Sequence, residues 1–292
     1  MSLPAVKIRS FTGSSSFTRG GSVPVIDLLT PALDRRLMFT GPAHSYVAKD
    51  GSLKQSAVNE WPLEFRDGVP VGRHEPEPAT SNLITDPVFA NIVNTTQSND
   101  GKWSAYGGGL GTVQANTGIN GGPAFNTTAG YSKGGVYDGS AFVVPDTADW
   151  QQQAFANGWQ RIKMQGRFSA DSPQSRFYIA RQDSVNFIYF TLSVPAGEAT
   201  FTEFRLPWQG ANSNFRHSWP QAERGTLATS PVIGNRAASS VYVRREGGAK
   251  GVRLIYSDGT KTELAFGALN ALPLPIASQD WAKRYLTRIE YF

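Results

Sequence analysis

The chain contains no cysteine, which excludes disulfide staples and every metal site built on thiolates. A protein of this kind can assemble in a reducing cytoplasm and work outside the cell. Histidine is almost as scarce. His44, His74 and His217 are the only three, in unrelated contexts and without His-x-His or His-Glu-x-x-His spacing. No Gly-x-Ser-x-Gly elbow is present. No metal site, cofactor or catalytic residue is therefore expected. Charged residues make up only 17% of the 292 positions, low for a globular chain, so the polarity comes from Ser, Thr, Asn, Gln and Gly. No apolar run reaches the roughly 18 residues of a membrane span, and membrane insertion is not expected. Residues 1–11 lack the apolar core of a signal peptide. The net charge is +5, but Lys and Arg are scattered rather than clustered, which argues against nucleic acid as a partner.

What is present points to strands. Gly (30), Pro (18) and an aromatic share of 12% suit many short strands joined by turns. The Gly107-Gly108-Gly109-Leu110-Gly111 run resembles a phosphate loop only superficially, since neither a Lys-Ser/Thr pair nor a helix follows it. In 161–168, Ile162, Met164 and Phe168 share one face, with Arg161, Lys163, Gln165 and Arg167 on the other. In 186–194, Ile188, Phe190, Leu192 and Val194 align, and Phe187 and Tyr189 opposite them suggest that both faces are covered. Further strands are expected at 200–206, 240–245 and 286–292. The sharpest expectation is a hairpin over 252–266. Ser257-Asp258-Gly259 suits a three-residue loop, pairing Tyr256 with Thr260, Leu254 with Thr262, Val252 with Leu264 and Arg253 with Glu263. Helix signals are confined to short stretches at 149–156 and 280–284.

These patterns predict an all-β chain: a jelly-roll-like antiparallel sandwich over 85–292, with six to nine strands in the last 200 residues. A turn-rich module over 37–84 precedes it, and an extended Gly/Ser-rich arm over 1–36 leads the chain. No fixed-period repeat supports a β-helix.

The candidate site residues are aromatic. A flat ring beside amide side chains is one way to hold a sugar. Trp103, Tyr106, Trp208 and Trp219 fall in or beside expected loops, and Trp208 leads into Gln209-Gly210-Ala211-Asn212. Trp103, Tyr106, Trp208, Gln209, Asn212 and Trp219 are accordingly the expected glycan-binding residues, against the plain alternative that such rings fill the core. Glu198 and Glu203 flank an expected strand, and Asp146 and Asp149 lie close together; a glycosidase would need its pair to face across a cleft.

An ordered series of short motifs runs through the module: Phe39-Thr40, Tyr46, Asp50-Gly51-Ser52-Leu53, Ala57-Val58-Asn59, Gly68 and Gly72, then Glu77 followed by Thr80-Ser81-Asn82-Leu83-Ile84. The series resembles a recurrent N-terminal module of tailed-bacteriophage tail-fibre, tailspike and other virion proteins. It departs from that pattern at Pro62-Leu63-Glu64-Phe65, at the additional Ser81 and at Arg73-His74-Glu75-Pro76, and it covers less than a fifth of the chain. The resemblance implies a non-enzymatic virion component, assembled in the host cytoplasm and joined to other virion proteins through residues 1–36. It also implies a homo-oligomer, a trimer by analogy with fibres, and a following carbohydrate-binding-like sandwich that meets host surface glycans. Tail fibre, adaptor, baseplate part and capsid decoration all remain open. A glycan-degrading tailspike-type hydrolase and a free carbohydrate-binding module are the alternatives; the missing signal peptide argues against the second.

Overall fold

The computed structural model describes residues 24–90, 102–106, 111–127, 133–144, 151–181, 187–208 and 214–292. Among them the chain forms twenty-four strands and one 3₁₀ turn, at Ala156–Gly158. Seven strands come first: β1 Val25–Asp27, β2 Leu37–Thr40, β3 Ser45–Val47, β4 Leu53–Gln55, β5 Glu64–Arg66, β6 Val69–Gly72 and β7 Thr80–Ser81. Eleven follow: β8 Trp103–Tyr106, β9 Gly111–Gln114, β10 Ala124–Thr127, β11 Lys133–Tyr137, β12 Phe142–Val144, β13 Gln151–Ala154, β14 Gln160–Phe168, β15 Ser172–Arg181, β16 Phe187–Val194, β17 Gly197–Trp208 and β18 Asn214–Arg224. Six close the chain: β19 Asn235–Arg236, β20 Ser240–Arg244, β21 Gly251–Tyr256, β22 Lys261–Ala265, β23 Ala271–Pro273 and β24 Leu286–Tyr291. Every pairing between them is antiparallel.

The middle eleven strands build a sandwich of two sheets, ordered β13-β14-β17-β18-β10-β9 and β12-β11-β15-β16-β8. After β8, successive hairpins go alternately to the six-stranded and the five-stranded sheet. Two-residue periodicity puts Met164, Phe168, Phe201 and Phe125 of the first sheet against Phe177, Ile179, Ile188, Phe190 and Leu192 of the second. On β14 the inward row Ile162, Met164, Phe168 contains Gly166. A Cβ there would lie 2.7 Å from Val144 Cγ2, so the glycine admits the edge strand β12 to the core.

The outermost strands build a second, smaller sandwich. Sheet β1-β24-β21-β22 faces sheet β2-β20-β23, and Ile26, Leu37, Phe39, Val241, Val243, Leu254, Leu272 and Ile289 fill the space between them. The 252–266 hairpin has the expected register: Arg253 faces Glu263 with Nη2 2.7 Å from Oε1, and Gly259 holds the left-handed φ of 82° that closes the turn.

Several expectations give way here. Residues 24–36 are not an extended arm: β1 pairs with β24, Ile26 and Leu28 are fully buried, and any arm is confined to 1–23, outside the described residues. Residues 37–84 do not stand alone, because β2 pairs with β20 from the far end of the chain. The sandwich does not run to 292; after Arg224 the chain returns to the terminal unit. The strand count exceeds six to nine because many strands are only two to four residues long. Within 149–156, residues 151–154 pair with β14 as a strand rather than a helix. Residues 281–283 form a turn.

Candidate functional site

The two units meet along the outer face of the six-stranded sheet. Trp159, Phe204 and Trp219 of the sandwich pack there against Val47, Leu53, Trp281 and Tyr285 of the terminal unit. Thr202, Phe204 and Leu206 thus face the joint, and so does Arg161, which lies on the face of β14 opposite Ile162 and Met164 and is only 3% exposed.

Three buried glutamates line the joint. Glu77 accepts hydrogen bonds from Ser230 N (2.6 Å) and Ser230 Oγ (2.6 Å), and Arg236 Nη2 lies 3.0 Å from its Oε2. His44 Nε2 and His74 Nε2 each lie 3.8 Å from the carboxylate. Burial holds both imidazoles below their ordinary pKa, so at neutral pH the cation facing Glu77 is Arg236. Burial alone would raise the Glu77 pKa, but Arg236, His74 and His44 together hold it below the ordinary carboxylate value. Glu75 is bridged by Arg284 (Nη2 to Oε1 2.9 Å, Nε to Oε2 3.0 Å) and accepts from Tyr256 OH. Glu64 has no cation. Its partners are Trp281 Nε1–H (3.1 Å) and Val47 N–H (3.3 Å), and burial pushes its pKa up to about 8.

The motif residues explain this junction. Asp50 caps the β3–β4 turn, with Gly51 at φ 79°. Asn59 and Gly41 bond reciprocally. Gly72, at φ 121°, passes so close to β24 that a Cβ would lie 2.3 Å from Leu286 O. Asn82 Oδ1 accepts from Ala222 N (3.0 Å) and Ile84 N (3.0 Å), and Nδ2 donates to Val232 O (3.1 Å). The series is therefore a set of turns and clamps rather than a chemical site.

Beside the joint lies a cleft of about 410 Å³, lined by Gln151, Gln152, Gln153 and Ala154 of edge strand β13, with Arg66, Arg161, Lys163, Ala228, Asp280, Ala282 and Lys283. Lys163 Nζ sits 2.8 Å from both Asp280 oxygens, and Asp280 also accepts from Ala228 N.

The outer face of the five-stranded sheet carries a chain of rings. Tyr137, Phe142, Tyr178, Phe187 and Tyr189 follow one another with centroids 5.4 to 5.7 Å apart. The Arg181 guanidinium lies 4.7 Å from the Phe142 centroid and that of Arg176 5.2 Å from Tyr189. Tyr137, Phe142 and Phe187 are partly exposed, whereas Tyr178 and Tyr189 are buried. Sequence reasoning noted only Phe187 and Tyr189. The cluster depends on cross-strand register, which brings Tyr178 opposite Tyr189 and Phe142 opposite Tyr137.

The expected glycan residues fare unevenly. Trp103 is fully buried between the sheets, its ring 5.2 Å from that of Phe125. Trp219 is 5% exposed in the joint, at a β-bulge with φ 48°. Both fill space that no sugar reaches, because each falls on the covered side of its strand. Tyr106 sits in register with Phe187, at the end of the sheet that bears the rings. Trp208 ends β17 opposite Asn214, and nothing further of its position is described. Gln209 and Asn212 lie outside the described residues, as do Asp146 and Asp149. Glu198 and Glu203 do not face across a cleft. Glu198 is on the surface near Arg167, and Glu203 is fully buried against Arg205 and His217, whose Nδ1 is 2.9 Å away. His217 Nε2 has no hydrogen-bond partner, and burial depresses the His217 pKa. Among the described residues no group of three metal-ligating side chains is assembled.

No family model, curated protein or solved structure matches this chain.

Proposed function

We propose that this chain is a structural component of a tailed-phage particle, attached through the residues ahead of β1 and presenting the sandwich outward to host glycans. One observation carries the reading. The end of the virion-module series clamps the terminal unit to the inserted sandwich, through Asn82 on Ala222 and Thr80 on Glu223, while Glu77 ties the two chain ends of the terminal unit together through Ser230 and Arg236. A module whose recurring positions are turn formers and clamps acts as a connector. The sandwich keeps one sheet face free of the terminal unit, and that face bears the ring chain with its two arginines, the kind of flat, partly polar surface on which a sugar stacks.

Complementation of a phage that lacks this chain tests the proposal. Particles should incorporate the full chain and lose a variant starting at residue 24, which keeps β1 and so the fold. Purified particles that never contain the chain would refute it.

A further inference from the structure

We infer that the cleft along β13 binds a carboxylate-bearing saccharide, a uronic-acid type of unit. This rests on the reading of the sandwich as a glycan-presenting body and assigns the ligand class to a site distinct from the ring-bearing face.

Four cations, Arg66, Arg161, Lys163 and Lys283, surround the cleft against one carboxylate, Asp280. That carboxylate is already committed to Lys163 and to Ala228 N. Among the described residues, Arg66, Arg161 and Lys283 form no ion pair. Arg66 makes a single 3.3 Å bond to Ala282 O. Arg161, at the floor, lies over the Trp281 ring at 5.2 Å, and its Nε and Nη1 donate to nothing. Buried donors without acceptors are uncommon and costly, and an anion held in the cleft adds to the field of Glu223, Asp280 and Glu77 that keeps this buried guanidinium charged.

The walls then narrow the anion. Gln151 and Gln153 share the face of β13 that lies in register with Lys163 and Arg161; Gln151 offers both a donor and an acceptor, and Gln153, whose Nε2 donates to Ala282 O, offers its oxygen, the combination that hydroxyl groups need. Exposed Ala154 supplies a small apolar patch beside them, suited to the C–H face of a sugar ring. The volume lies within the ~300–1,000 Å³ of small-molecule sites. A nucleic acid would call for a longer track of cations than these, and a carboxylate accepts the paired N–H groups of an arginine.

The test uses the full chain and oligogalacturonate, with its neutral methyl ester as comparison, in calorimetric titration at low and moderate salt. Oligogalacturonate should bind and the ester should not. The double variant Arg66→Ala, Lys283→Ala alters only exposed side chains and should weaken binding about tenfold or more. Lys250→Ala with Lys261→Ala removes the same charge elsewhere and should leave binding unchanged. Equal binding of the ester, equal weakening by the control pair, or preference for an oligonucleotide of matched charge would overturn the inference. If neutral glycans bind and Phe187→Ala abolishes that binding while oligogalacturonate is ignored, the cleft assignment falls and the proposed function stands. If no saccharide binds at all, both fall.

Discussion

Replacing Glu77 by glutamine removes one buried negative charge from the terminal unit and keeps the side-chain shape. In the native protein the carboxylate takes two hydrogen bonds from Ser230 at 2.6 Å each and faces Arg236 Nη2 at 3.0 Å. Arg236 is 5% exposed. An amide offers one acceptor oxygen instead of two, so an NH₂ group must face either Ser230 or the guanidinium. The guanidinium then stays buried without its counter-charge. Breaking a buried pair from one side costs about 3–5 kcal/mol, a large share of the roughly 5–15 kcal/mol that holds a typical domain folded. Urea unfolding followed by tryptophan fluorescence measures it, because Trp159, Trp219 and Trp281 all sit at the joint. The midpoint should fall by the corresponding amount. All of these partners belong to the terminal unit, so the loss should fall on that unit. Arg236→Met added to Glu77→Gln should recover part of the loss, since an apolar side chain leaves no unpaired charge. A loss below about 1 kcal/mol would show that the network does not hold the terminal unit together.

Four further outcomes follow from the same geometry. Glu64→Gln tests the uncompensated glutamate: its folded pKa of about 8 stands above the ordinary 4.5, so its contribution is fully present below pH 4.5 and is lost as pH rises through 8. At about 1.36 kcal/mol per unit the upper bound is ~5 kcal/mol, and wild-type minus variant stability should decline with pH across that window. His44, His74 and His217 act in the opposite sense, since their depressed pKa values give stability that is present above about pH 6.5 and lost on acidification; acid denaturation curves of His→Gln variants should show it. Gly72→Ala places a Cβ 2.3 Å from Leu286 O at a φ of 121° and should prevent recovery of folded protein, whereas Gly259→Ala, at φ 82° but in open space, should shift the melting temperature by only a few degrees. Asn82→Ala removes four side-chain hydrogen bonds and should cost about 2–3 kcal/mol in the same urea assay.

Local pattern made much of the fold legible. Two-residue alternation located β14, β16 and β24, and the Asp258-Gly259 signal with the Arg253–Glu263 charge pair fixed a hairpin to the residue. What escaped was non-local. Nothing near Ile26 announces that it pairs with Ile289, so the closure of the two ends into one unit and the insertion of the sandwich between them stayed hidden. The same limit explains the site. Trp103 and Trp219 look like loop aromatics until pairing shows which side of a strand is covered, and the Tyr178–Tyr189 ring contact exists only through register. Alternation separates Arg161 from the Ile162–Phe168 face but does not report what packs on either face, so the burial of Arg161 stayed hidden.

The most direct test of the account is where the chain sits. Electron micrographs of purified particles, labelled with gold-tagged antibody to this chain, should show label at one fixed position on every particle, tail or capsid. Bare particles, with all of the label in the soluble fraction of the lysate, would contradict the assignment to a virion.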